Sequence, residues 1–340
     1  MKKILPFLFI SLLLLAGCDN IKEVRGEIIQ SFPAQESDIS FILQSAEQEM
    51  IGFLVNEQTI IHPLIAGVDD ADFKQNPPED IFISVSFNDD LQSKFTINKE
   101  AIPVFAADFI TIEQILSDKI TLADGSVINV WQGLDEMRYK TEDGTEILVE
   151  YRPENYEYIV QDCALEEEIK ESIIQYYEKQ GTYYEITDEL AKVYAAYQNS
   201  EGDFDSYTVS QRADKTAENE NIVYFATNIH LPLNGSVGTE VHLGAAFNRA
   251  DGKLIDNWDL FRVSKDEALE VILANAQITG NLQTEIKSAF KGEYLLFYPD
   301  RLEIAFPQGV LPSQEHSFSI ILEYEQSLID IIQKWALPVQ

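Results

Sequence analysis

Cysteine is nearly absent, since Cys18 and Cys163 are the only two in 340 residues. The chain is therefore no disulfide-stapled scaffold, and a protein of this length can bury substantial cores without such staples. Histidine is as scarce, with four in all, which leaves little material for a zinc centre that needs three or four ligands. Basic residues are outnumbered, 24 against 58 acidic ones, for a formal net charge of -34. Phosphate would repel so acidic a chain, which excludes nucleic acid as a partner. An anionic headgroup surface would repel it as well. No internal repeat of fixed period and no low-complexity stretch is present.

What is present begins with "MKKILPFLFISLLLLAGCDN". Lys2 and Lys3 make a short positive start, and residues 4 to 15 are apolar apart from Pro6 and Ser11. The run is too short for a membrane-spanning helix and reads as a secretion signal. Leu15-Ala16-Gly17-Cys18 resembles the lipobox of bacterial lipoproteins. That resemblance implies that residues 1–17 are removed, that Cys18 is acylated, and that the protein sits on the extracytoplasmic face of a cell membrane. Two or three acyl chains hold a protein on a bilayer far better than one. Loss of Lys2 and Lys3 takes the formal charge from -34 to -36. With Cys18 acylated, Cys163 has no disulfide partner.

Residues 18–35 carry no clear period and read as a tether. From 36 to 159 the pattern is strand-like: "IGFLVNEQTIIHPLI", "DIFISVSF" and "KFTI" are short β-rich runs. "KITLADGSVINVW" and "YKTEDGTEILVEYRP" each place Asp-Gly between apolar runs, a strong hairpin signal. "TIEQILSD" reads as a short helix. From 160 to 340 strands and helices come in blocks. Leu165, Ile169, Ile173 and Tyr177 recur at four-residue spacing on a helix that Gly181 stops. "TDELAKVYAAYQ" follows as a helix, and Ser264 with Glu267 forms a capping box before another. "LQTEIKSAF" and "EQSLIDIIQKW" read as further helices, and "EYLLFYPDRLEIAF" as a hairpin turning at Pro299-Asp300. The expected class is α+β, an antiparallel sheet with helices in the C-terminal domain, preceded by a β-rich N-terminal unit.

"LGAAFNRADGKLIDNWDLF", then a helix, then "YLLFYPDRLEIAFPQGVLPSQEHSFSIILEYEQSL" resembles the C-terminal domain of the RsiV-type family. That domain occurs in lysozyme-sensing anti-sigma factors and in some peptidoglycan deacetylases. Asp251-Gly252-Lys253, Asp259-Leu260-Phe261, Phe297, Phe306, Gly309 and Tyr324 carry the likeness, which is strongest over 238–333. The family has a Gly-Gly-Ala-His stretch where this chain has Asn234-Gly235-Ser236-Val237-Gly238, without the histidine. The resemblance implies that this loop, Asn234, Gly235, Ser236, Val237 and Gly238, is a contact surface. No His/Asp-rich deacetylase motif accompanies it.

Residues that could carry chemistry each have a plainer reading. In a hairpin turning near Gly235, residue 230 faces 240, so His230 and His242 share one face. Two imidazoles without a third ligand do not make a zinc site. Asp69, Asp70, Asp72 and Glu201, Asp203, Asp205 lack EF-hand spacing and read as solvated loops. Cys163 is followed by Glu166, Glu167 and Glu168, which oppose a thiolate, so it reads as a partly buried spectator. "GFLVNEQTIIHPLIAG" ends in His62 as trypsin-like strand pairs do, yet no Gly-rich turn carries a nucleophilic serine. Tyr176, Tyr177, Tyr183 and Tyr184 suit packing or an interface. The expectation is a lipid-anchored envelope binding module without metal or cofactor, its partner lysozyme or peptidoglycan. The alternative is an envelope hydrolase or an inactive relative of one.

Overall fold

The computed structural model describes residues 21–33, 38–45, 47–63, 68–97, 99–151, 156–202, 204–232 and 239–338. Its class is α+β. The chain divides into two compact units, the first holding residues 1–119 and 129–134, the second 120–128 and 135–340.

Unit 1 is built from β1 (Ile21–Ser31), β2 (Phe41–Ser45), β3 (Met50–Leu54), β4 (Ile60–Pro63), α1 (Asp70–Gln75), β5 (Ile81–Asn88), β6 (Ser93–Ile97) and β7 (Glu100–Thr121). A turn at 122–126 leads to β8 (Val127–Gln132), Gly125 taking the positive φ that the Asp-Gly signal requires. Strands β7, β3, β2, β1 and β5 pair in that order, and β5 pairs back onto β7, closing a ring. β3 and β4 both run parallel to β7, and β6 pairs with its first residues. Inside lie Phe41, Phe53, Ile83, Val85, Ile110 and Ile112, all fully buried, with Phe73 of α1 beside them. Each such side chain contributes about 1.5–3 kcal/mol by leaving water. Phe53 meets Phe41 at 5.5 Å and Phe87 at 5.2 Å between ring centres.

Two expectations fail in this unit. Residues 18–35 are not a tether over their length, because β1 starts at Ile21 and pairs along both sides, with β2 and β5. Val24, Gly26 and Ile28 alternate inward, a period hidden in sequence by the charged residues between them. "TIEQILSD" is strand, part of the 22-residue β7. Ile112, Ile115 and Leu116 imitate helical spacing, but Ile110 and Ile112 continue a two-residue rhythm, and β4 and β5 hold β7 from both sides.

Unit 2 begins earlier than residue 160. It opens with β9 (Glu136–Thr141) and β10 (Glu146–Tyr151), a hairpin turned by Asp143-Gly144. β10 pairs in parallel with β11 (Tyr207–Glu218), and a parallel pair needs a crossover. That crossover contains a 3-10 turn at Glu157–Val160, α2 (Glu167–Gln180) and α3 (Ile186–Gln198). The sheet continues antiparallel through β12 (Ile222–Leu231), β13 (Thr239–Asn248) and β14 (Leu254–Ile255). Ile169, Ile173 and Tyr177 of α2 pack on Ala213, Val223, Phe225 and Phe247.

Alternate residues point the other way, and a second sheet covers them. It comprises β15 (Leu295–Phe297), β16 (Arg301–Phe306) and β17 (Phe318–Glu323). Tyr224 stacks on Phe297 at 5.0 Å, and Ala226 meets Leu296 and Ala305. Gly244 permits this approach, since a Cβ there would stand 1.8 Å from the Leu295 carbonyl oxygen. Helices α4 (Lys265–Asn275), capped by Ser264 as expected, and α5 (Gly280–Ala289) connect the layers. The last helix is short, α6 (Gln326–Ile329). Beyond Asp330 the chain bridges β-fashion to Phe261, and Arg262 and Gln333 bond across the gap, which competes with further helix.

Candidate binding groove

The 3-10 turn lies along α2, fixed by the buried side chains of Ile159 and Val160. Between turn and helix runs an open groove of about 840 Å³. Tyr156, Tyr158 and Ile174 supply its apolar walls, and Glu157, Glu167, Glu171 and Glu178 its charge. Spacing explains the helix contribution, because Glu167, Glu171, Ile174 and Glu178 fall on one stripe of α2. Lys170 is the one cation among the described residues of the lining, and its Nζ sits 2.7 Å from Glu167 Oε1. The groove therefore keeps a negative field. The Tyr158 hydroxyl accepts from the Ala213 amide at 3.1 Å, and Arg212 lies over its ring at 5.4 Å. Burial pushes the Tyr158 hydroxyl above its ordinary pKa.

Behind Tyr156 and Tyr158 is an enclosed space of about 10 Å³, walled also by Tyr151, Tyr177, Tyr184 and Thr227. The Tyr177 hydroxyl is buried there without a hydrogen-bond partner among the described residues, Thr227 lying nearby but outside bonding geometry. Burial drives its pKa far above the usual tyrosine value. Glu150 is fully buried, and its two carboxyl oxygens accept from Tyr139 at 2.6 Å and Tyr184 at 2.7 Å. None of Tyr139, Tyr177 and Tyr184 is among the groove's lining.

Among the described residues, those singled out in sequence do not converge on one site. Cys18, the loop of Asn234, Gly235, Ser236, Val237 and Gly238, and Asp203 lie outside the described residues. His230 pairs with Glu240 and His242 with Asn228, the register that the hairpin reading requires. His242 Nδ1 is 2.7 Å from Asn228 Oδ1, and its Nε2 is 3.5 Å from Glu240 Oε2. No group of three or more His, Cys, Asp or Glu side chains that could hold a metal occurs among the described residues. Asp69 caps α1, accepting from the Ala71 and Asp72 amides. Asp70 pairs with Lys74 at 3.4 Å.

Cys163 is buried, its Sγ 3.9 Å from the Ile159 carbonyl, and burial raises its thiol pKa. His62 stacks on Phe109 at 6.3 Å between ring centres. Sequence reasoning missed Glu150 and the groove. A lone acid inside the apolar run "EILVEY" was the available signal for the first. The second depends on where the 3-10 turn meets α2, which no local pattern encodes.

No protein family's sequence profile matches the chain, and no curated protein matches it either. Two crystal structures of DUF3298 family proteins are similar to it. One, from Pseudomonas aeruginosa, is 11% identical, with 59% of this chain and 91% of that one covered and a TM-score of 0.31. The other, from Bacteroides fragilis, is 13% identical, with 65% and 93% covered and a TM-score of 0.33.

Proposed function

We propose that this chain is a lipid-anchored cell-envelope protein that binds a cationic protein partner such as lysozyme in the groove between Tyr156–Tyr158 and α2. The lipobox-like leader supports the anchor, and the RsiV-type resemblance supports the choice of partner. The carrying observation is the groove itself, in which α2 sets the carboxylates of Glu167, Glu171 and Glu178 beside apolar walls, with Lys170 the one lysine among its described residues. Opposite charge accelerates encounter, while apolar contact and desolvated pairs set how long the complex lasts. Ile174 and the tyrosine rings provide the apolar part, and Glu171 and Glu178 the charge at the outer wall. A lysine or arginine side chain laid along such a groove meets carboxylates at its head and apolar surface along its stem.

Charge alone would attract any basic protein, so the test must separate a built interface from a diffuse field. Lysozyme binding is measured across a salt series for the wild type, for Glu171→Gln/Glu178→Gln, and for an unrelated protein of equal negative charge. The expected result is slower association in salt with dissociation little changed, and at least about tenfold weaker binding by the double variant, about 1.4 kcal/mol. If the control binds as well and both complexes vanish near about 0.15 M salt, where screening reaches about 8 Å, the reading fails. Tyr156 and Tyr158 favour a second reading, stacking on the sugar rings of peptidoglycan. Sedimentation with purified cell wall, insensitive to salt and lost in Tyr156→Ala, would select it instead.

A further inference from the structure

The open end of the strand ring in unit 1 combines a position, a composition and a charge that together name a partner. β1 starts at Ile21, three residues after Cys18. Three residues span at most about 11 Å, even fully extended. Residues at the start of β1 also line a depression of about 750 Å³ at this end, along with the β2–β3 turn and the first residues of β7. Its floor includes Met50, Ile51, Phe87 and Phe105, the two phenylalanines 4.8 Å apart between ring centres. Carboxylates of Glu49, Asp89 and Glu100 stand on its rim, and Lys22, the one lysine among the described lining residues, is paired to Asp89 at 2.6 Å. Two large exposed apolar residues flank this lining along the chain, Ile21 next to Lys22 at 51% and Leu91 two residues after Asp89 at 50% exposure.

Scattered exposed apolar residues are ordinary. Here they sit where the chain leads to Cys18, beside an apolar floor. Taking Cys18 acylation from the functional reading above, we infer that unit 1 rests this end directly on the bilayer, with Ile21 and Leu91 at the interface. The anchor is too short to act as a stalk. The carboxylate rim selects the headgroup: it repels anionic lipids and favours those that carry an ammonium group. The half-buried Phe105 ring in the lining suits the same cation. The partner is thus a zwitterionic lipid surface.

The test uses the full-length mature protein, acylated in cells and reconstituted into vesicles of phosphatidylethanolamine and phosphatidylcholine that contain a headgroup-nitroxide lipid. A thiol-reactive fluorophore is placed at Leu91→Cys or, as control, at Gln75→Cys, because Cys18 is blocked and Cys163 is buried. Gln75 is exposed on α1, which packs near Ile81 at the other end of β5. Nitroxide quenching at position 91 should exceed that at 75 by threefold or more, and the difference should shrink when anionic lipid replaces zwitterionic lipid. Equal quenching at both positions in protein whose mass shows the acyl groups overturns this placement alone. A mature protein without that added mass overturns the anchoring reading, and the placement with it.

Discussion

The Tyr184 hydroxyl donates to the Glu150 carboxyl at 2.7 Å, fastening the segment between α2 and α3 to a strand 34 residues earlier. The Tyr139 hydroxyl takes the other oxygen at 2.6 Å. A buried acid held this way is strongly required once its partners are present, because removing it takes one hydrogen bond from each of two tyrosine hydroxyls. Glu150→Ala should therefore cost about 3 kcal/mol, and Glu150→Gln about half of that. Tyr184→Phe should cost about 1 kcal/mol. Urea unfolding measures all three. A Glu150→Ala midpoint equal to the wild type would refute the role assigned to the carboxyl group.

The same contact sets where unit 2 starts. A fragment of residues 135–340 retains β9 and β10, while one of 160–340 loses both the parallel partner of β11 and the acceptor for Tyr184. We expect the longer fragment to melt cooperatively with a structured near-UV spectrum. The shorter one should melt lower or without cooperativity. Equal stability of the two would mean that β9 and β10 add nothing to this core.

Acid should loosen the turn between β9 and β10. Hydrogen bonds from Thr141 first, then from the Thr145 amide, pull Asp143 down to a pKa of about 2. Tyr197 on α3 adds another at 3.1 Å. A carboxyl group whose folded pKa lies below its unfolded value stabilises the fold above the unfolded pKa, about 3.9, and loses that effect as pH falls through the folded one. Asp143→Asn should thus be less stable than the wild type at pH 7, and the difference should close between about pH 4 and pH 2. Thermal melts over that range provide the check, and a difference that persists unchanged at pH 2 would contradict it.

Gly244→Ala tests the closeness of the two sheets in unit 2. The new Cβ would meet main chain, the Leu295 carbonyl oxygen at 1.8 Å, and main chain cannot rotate away as a side chain can. Overpacking of this kind costs about 1–3 kcal/mol or more. The melting temperature should fall and the near-UV signal of the stacked Tyr224 and Phe297 should change. Gly125→Ala, at a position with nothing within 4 Å of the new Cβ but with φ +90, should be milder and leave that signal intact.

Local signals were legible and long-range ones were not. Asp-Gly turns, the Ser264 cap, the Ile169–Tyr177 stripe and the pairing of residue 230 with 240 each depend on a few neighbouring residues, so each could be read directly. β1 escaped notice because polar residues alternate with its inward side chains, and β7 because its isoleucines satisfy two periods at once. Closure of β5 onto β7 and the parallel pairing of β10 with β11 join segments that share no local pattern. The groove follows from such packing, and so was invisible until the turn and α2 were placed together. The proposed anchor is the opposite case, legible in the leader and lying outside the described residues.

The ring in unit 1 has a further consequence if, as proposed, the protein is anchored on a membrane. β5 and β7 hydrogen-bond to each other, so the two strands that would otherwise border an open sheet are both satisfied. β4 and β6 take up further length of β7. Among the described residues of this ring a neighbouring molecule therefore finds no long row of waiting main-chain donors and acceptors to extend, the route by which crowded β-proteins seed cross-β aggregates. Encounters through this unit are left to side chains, and the chain's charged groups are mostly acidic, 58 against 24, and so mutually repelling. On the proposed membrane anchor, crowding of the first unit would thus not by itself supply a route to strand addition.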